Sequence, residues 1–244
     1  MIRDILTDIV AHTSTLGFPF AKIVGDKEST VIESMAENHS VVVKAKTHHP
    51  VTEFKGTFGL PSLNILNLLL KNPEYKENPN IEIIFEKRNN KDIPVSIFFE
   101  NEEGDFNNDY KLITPEVISA KLEEYEFDEP EWHIEFTPSI ASVQRLKIQA
   151  QIHSDEEFFT SKVEKKDLIV SFGGVSSNHV GTFVFQTGIE GKMRNTFNWP
   201  LVNVINILNL DGEKMMKISD HGLMMITVDS GLTVYDYILP AVTK

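Results

Sequence analysis

Eight histidines and thirty-six carboxylates are the side chains that could do acid–base or metal chemistry in this chain, and there is no cysteine. The absence of Cys excludes disulfides, thiolate metal sites and thiol nucleophiles, and it fits a reducing intracellular compartment. His48-His49 is the one adjacent pair, and His12, His133, His153 or His221 could join it only through the fold. None stands at the HxxxH or HExxH spacing that sets two imidazoles on one helical face, so solvated histidines are the better reading. Glu123-Glu124 and Asp155-Glu156 have the composition of a two-carboxylate hydrolase. They lie in polar stretches with no apolar flank to build a pocket. Ser171-Phe172-Gly173-Gly174-Val175-Ser176 follows an apolar run but lacks GxGxxG and the Lys-Ser/Thr of a phosphate loop, and reads as a turn. Trp132 and Trp199 read as packing residues. No catalytic residue, metal site or cofactor is expected, and a hydrolase stands only as the enzyme-class rival.

The informative polar residues are amides. Thr57-Phe58-Gly59-Leu60-Pro61-Ser62-Leu63-Asn64-Ile65-Leu66-Asn67 aligns with Thr196-Phe197-Asn198-Trp199-Pro200-Leu201-Val202-Asn203-Val204-Ile205-Asn206. Thr, Phe, Pro and both Asn coincide at an ungapped offset of roughly 139 residues, a domain-sized period. Asn is a weak helix former because its amide competes with the backbone. Two at i and i+3 share one helical face. They form either a thin solvated edge or a surface that meets something polar without charge selectivity.

These helices need elements around them. Ile2, Ile5, Leu6, Ile9 and Val10 predict a first helix over 2–12. Strands are predicted at 21–24, 30–35, 40–46 and 52–56. A second helix is expected from Leu60-Pro61 through Leu70, with Pro in its first turn. Residues 81–85 and 95–99 read as paired strands across a turn at 88–92. Thr137-Pro138-Ser139 opens a third helix to about Ile148, where a period-two pattern competes. Residues 158–163 and 168–172 form a hairpin, followed by a strand over 179–187. A fourth helix starts at Trp199-Pro200, before strands at 214–218, 223–228 and 233–239. The order helix, strands, Asn-bearing helix, strands occurs twice, which predicts two copies of one α+β domain with antiparallel sheets. The expected domains are 1–100 and 131–244, joined by an acidic linker with an insertion over 101–130 that carries a short helix from Pro115.

The net charge is −13 in 244 residues, and hydrophobic residues at 41% suffice for packed cores. Acidity argues against phosphate binding, but it is localised. About twelve carboxylates lie between Asn101 and Phe136 against Lys111 and Lys121, roughly −10 there and about −3 elsewhere. No signal peptide or membrane-spanning helix is expected, and the protein should be soluble.

At this point the chain resembles the sliding clamps, in particular those of T-even-like tailed phages. The resemblance rests on Asn203-Val204-Ile205-Asn206-Ile207 after Phe197-Asn198, on Ile140-x-x-Val143-x-Arg145 ending in Gln151-Ile152, and on the hairpin Phe158 to Phe172 with Gly173. It covers most of the chain in order and length, most clearly after Glu131. It implies two tandem copies of a DNA-clamp domain in a homotrimeric ring, with sheets outside and two helices per domain on the inner face. The implied function is a processivity factor for DNA replication. It encircles duplex DNA regardless of sequence, tethers a DNA polymerase and other replication proteins, and has a clamp loader as a partner. The implied location is the cytoplasm of the infected bacterial host. Carried over by position, the DNA-proximal residues are Arg3, Thr7, His12, Asn64, Asn67, Lys71, Gln144, Arg145, Lys147, Gln149, Asn203 and Asn206. The chain departs from the family in having few Lys and Arg on these helices, in Asp4 and Asp8, and in the length of the acidic linker. The alternative is a non-enzymatic phage structural or adaptor protein with a duplicated α+β domain.

Overall fold

The computed structural model describes residues 2–88, 90–121, 130–174 and 179–242. They fall into two compact units, Met1–Glu126 with Ser230–Tyr235, and Phe127–Asp229 with Asp236–Lys244.

The first unit opens with α1 (Ile2–Thr13), whose Ile5, Leu6, Ile9 and Val10 recur at helical spacing and are buried. This stripe packs beside α2 (Leu63–Lys71), which buries Leu63, Leu66 and Leu70. Between the helices in sequence run β1 (Phe20–Gly25), β2 (Thr30–Met35), β3 (Val42–Thr47) and β4 (Gly56–Pro61), antiparallel in the order β4-β1-β2-β3. Burial alternates along β2 and β3, as a sheet with one covered face requires. After α2 come β5 (Asn80–Arg88), β6 (Lys91–Glu100) and β7 (Asn107–Lys111), a separate three-stranded meander, and then α3 (Pro115–Lys121). Gly59 in β4 and Ile113 beyond β7 exchange backbone hydrogen bonds of 2.9 Å each. A Cβ at Gly59 would lie 3.0 Å from the Ile113 Cβ, so any larger residue would push Ile113 aside by a few tenths of an ångström.

The second unit contains β8 (Ile134–Phe136), α4 (Ile140–Ile152), β9 (Phe158–Glu164), β10 (Asp167–Phe172), β11 (Gly181–Gln186), β12 (Phe197–Pro200), α5 (Leu201–Leu208), β13 (Glu213–Ser219) and β14 (Leu223–Asp229). The last strand, β15 (Thr233–Pro240), begins in the first unit and ends in the second. The sheet orders are β12-β9-β10-β11 and β8-β13-β14-β15. Trp199 is fully buried and donates from Nε1 to Ser161 Oγ at 2.7 Å, which satisfies its one polar atom. The expected duplication is present in the topology. α1-β1-β2-β3-β4-α2-β5-β6-β7 repeats as α4-β9-β10-β11-β12-α5-β13-β14-β15, with matching sheet orders.

Several sequence expectations are corrected. Residues 52–55 precede the strand, which runs over 56–61. Leu60 and Pro61 therefore belong to β4, and α2 begins at Leu63. β4 is an outermost strand, where a proline without N–H removes no ladder bond. The turn between β5 and β6 is narrower than 88–92. α4 continues to Ile152, so the helical period prevails over the alternating one, with Ser139 Oγ accepting from the Ser142 N–H at 3.0 Å as its cap. Residues 101–121, expected in the linker, hold β7 and α3 within the first unit. Glu123, Glu124, Glu126, Asp128 and Glu129, and the Val175-Ser176 part of the glycine-rich stretch, lie outside the described residues.

The repeat itself carries a one-residue slip. The ungapped alignment sets Leu68 beside Ile207, yet Leu68 is 69% exposed and Ile207 is fully buried. Burial matches when α2 is shifted by one, pairing Leu63, Leu66 and Leu70 with Leu201, Val204 and Leu208. The extra residue is Ser62, which takes the left-handed conformation (φ 47°, ψ 57°) between Pro61 and the helix. The aligned asparagines are therefore about 100° apart around their helices. Leu68→Ala is expected to change unfolding free energy by less than about 0.5 kcal/mol, and Ile207→Ala to cost roughly 2–5 kcal/mol, both by urea titration. Equal costs would contradict the slip.

Candidate nucleic-acid interface

Each unit presents one helix pair whose inner side is buried and whose outer side meets solvent. In the first unit Thr7, Asn64 and Lys71 are exposed and Asn67 is half-buried. Thr7 Oγ1 donates to the Arg3 carbonyl at 2.8 Å, so its hydroxyl is partly engaged. Arg3 serves the fold. Its guanidinium donates to the carbonyls of Leu70 (3.0 Å) and Lys76 (3.1 Å), placing a cation at the C-terminal end of α2, where the helix dipole is negative.

His12 does not lie on this surface. It is 3% exposed, its ring stacks on Tyr235 with centroids 4.3 Å apart, and Nδ1 lies 2.9 Å from the Asp8 carbonyl. Asp8 accepts the Tyr235 hydroxyl at 2.8 Å. The helical period places residue 12 on the buried stripe with Ile5 and Ile9, which is why it is interior. The same network explains Asp8. Its carboxylate is held inward, leaving Asp4 as the exposed acid of α1.

In the second unit Gln144 and Arg145 are exposed, and Lys147, Gln149, Asn203 and Asn206 are half-buried. Gln144 and Lys147 line an open cleft of about 290 Å³ between α4 and the residues after α5. The same cleft holds Lys214, which the sequence pattern places inside a strand and gives no surface role. Lys214 Nζ donates to the carbonyls of Leu210 (2.5 Å) and Gly212 (2.9 Å). Burial holds its ammonium below the usual lysine range; neighbouring Lys147 acts in the same direction, and Asp211 opposes them. Gln149 faces a second open cleft of about 470 Å³ with His153 and His179. Among the described residues no group of three His, Asp or Glu could hold a metal ion.

The electrostatic pattern is sharper than the individual contacts. None of the thirty-six carboxylates falls in α2, α4 or α5. Their outer faces carry amides, the cations Lys71, Arg145 and Lys147, and exposed apolar side chains, among them Leu68, Ile140 and Val202. The signal is compositional: counting carboxylates helix by helix reveals the exclusion without any side-chain geometry. Such a surface can face a polyanion without repelling it, and has too few cations to grip it.

No family model and no curated protein sequence matches the chain. Solved structures match it from end to end. PCNA of A. fulgidus, in a structure with the C-terminal region of FEN-1 bound, gives a TM-score of 0.72 at 12% identity, covering 99% of this chain and 96% of that one. PCNA of Entamoeba histolytica gives 0.67 at 16% identity, with 99% and 96% covered. PCNA of Thermococcus kodakaraensis gives 0.66 at 13% identity, with 98% and 97% covered. The fold is that of the PCNA-type sliding clamps. At such identities the likeness lies in the path of the chain. A PCNA-type fold accounts for the repeated order of helices and strands and for the antiparallel sheets.

Arg3 and Arg145 should separate by experiment. Arg3→Ala is expected to lower unfolding free energy by about 1 kcal/mol through the lost helix-end contact, and to leave association with a duplex oligonucleotide at low salt unchanged. Arg145→Ala should leave stability within about 0.5 kcal/mol and weaken that association, reducing its salt slope by about one. Anisotropy titrations and urea melts read both.

Proposed function

We propose that this chain is a DNA sliding clamp, a ring-forming processivity factor without catalysis of its own. It encircles duplex DNA and tethers the replicative DNA polymerase and other replication proteins. The observation that carries this reading is the exclusion of carboxylates from α2, α4 and α5 in a chain of net charge −13, on a PCNA-type fold. A topological hold needs a surface that tolerates phosphate at every register, and amides with a few cations provide that.

The repeat suggests how a ring closes. In the first unit, the start of β15 follows β3 in the sheet order, and the His48 N–H donates to Leu232 O at 2.9 Å. In the second copy of the repeat, β11 stands where β3 stands, and β7 corresponds to β15. Among the described residues no strand pairs the outer side of β11 or of β7. The β7 of another copy laid on β11 would reproduce the β3–β15 arrangement, a head-to-tail contact of the kind that generates rings. Three copies, giving six repeats, is the number that the resemblance to phage clamps implies. A closed ring implies a clamp loader as partner. Kinship with T-even-like phages, and the cytoplasm of an infected bacterium as location, belong to this proposal on the sequence resemblance.

Sedimentation velocity is expected to give three times the monomer mass. Val184→Asp, at an edge position 36% exposed, should give a monomer with an unchanged far-ultraviolet spectrum. A parent chain that stays monomeric at high concentration would remove the ring and favour a protein-binding adaptor.

A further inference from the structure

The two copies of the repeat differ at one sheet edge. In the second unit the outer side of β13 is taken by β8, with Met216 opposite Phe136, Lys217 opposite Glu135 and Ile218 opposite Ile134. Lys217 and Glu135 form an ion pair at 3.4 Å on the solvent side. Met216 and Ile218, on the covered side, are 2% and 0% exposed.

The corresponding strand of the first unit is β5, outermost in the order β5-β6-β7. Among the described residues no strand pairs its outer side. Ile81, Ile83 and Phe85 alternate with Glu82, Ile84 and Glu86 along it. The first three are only half-buried, where Met216 and Ile218 are fully covered, and Ile84 is 37% exposed. A long unpaired edge with alternating apolar residues is a template for strand addition. Its charges select what can add. Glu82 and Glu86 flank Ile84 on the solvent side, and Arg88 engages Glu86 at 2.8 Å, which leaves Glu82 as the carboxylate for an incoming cation. The β-bulge between Ile84 and Phe85 further restricts the register that an added strand can take.

We propose that the outer edge of β5 is a docking site for an extended segment of a partner protein, added antiparallel as β8 is added to β13. The segment carries apolar residues at alternate positions and a Lys or Arg between them, opposite the Glu82-Ile84-Glu86 face. The chain's own β8 defines the geometry, and the charge is inverted because β13 presents Lys217 where β5 presents carboxylates. The proposal rests on the difference between the two repeats and is independent of any reading on DNA.

Two peptides test it on the full chain: residues 131–138 (Glu-Trp-His-Ile-Glu-Phe-Thr-Pro) and the same peptide with Glu135→Lys. The lysine peptide is expected to bind about threefold or more tighter, the scale of a favourable cross-strand pair. It should slow hydrogen exchange of backbone amides within Asn80–Arg88. N-methylation of alternate peptide amides should abolish binding, and the exposed double variant Glu82→Lys/Glu86→Lys should reverse the preference between the peptides. The proposal is overturned if the two peptides bind equally or not at all, or if protection appears at β13 instead. Protection of β5 that rises with protein concentration alone would also overturn it, by making a second copy the occupant.

Discussion

Charge separation is the constraint on which this molecule turns. A chain of net charge −13 can surround a polyanion only if its carboxylates stay off the surface that meets it. Three of the helices satisfy that condition by composition, and α1 keeps one exposed acid, Asp4. α2, α4 and α5 contain no acid, and in α1 the Asp8 carboxylate is drawn inward by the Tyr235 hydroxyl. Hydrophobic burial then sets orientation. Leu66 in α2, Leu146 in α4, and Val204 and Ile207 in α5 are buried, so the amides and cations of these helices lie on exposed or half-buried positions around that stripe. Two neighbouring cations, one on α1 and one on β13, are spent on the fold. Arg3 caps α2 and Lys214 binds carbonyls after α5, which leaves the outer faces weakly cationic.

Duplication gives the chain matching sheet edges, and their different fates organise the rest. One edge in the first unit is extended by the start of β15, and one in the second is covered by β8. The open counterparts, β11, β7 and β5, have no strand on their outer sides among the described residues. Exposed strand edges invite pairing, and the ones here bear side chains that discriminate: Asp109 and Lys111 on β7, Glu82 and Glu86 on β5. Self-assembly and partner binding on this reading use the same backbone physics, separated by charge and register.

Much of this is legible in the sequence, and the failures have physical causes. The α+β class and the repeat can be read because a Pro followed by two spaced asparagines on an apolar background is rare enough to recur visibly. The phase of the repeat cannot, because Ser62 adds a residue in a left-handed conformation that no propensity announces. The prolines mislead for a related reason: proline suits both a first helical turn and the end of an edge strand. His12 suggests a surface position because its polarity outweighs its place in the helical period, although it shares the buried stripe of α1. Lys214 escapes notice because its cleft is built from segments far apart in sequence. The exclusion of acids from three helices can be counted in the sequence, but the count has meaning only once the helix boundaries are known.

Topological retention on DNA tests the central claim most directly. The protein, loaded on a nicked circular plasmid and passed through a sizing column at moderate salt, is predicted to stay with the circle. It should be released when a single restriction cut opens the plasmid, since a ring slides off free ends. Equal retention on circular and linear plasmid, falling together with rising salt, would mean ordinary phosphate binding and would contradict the account.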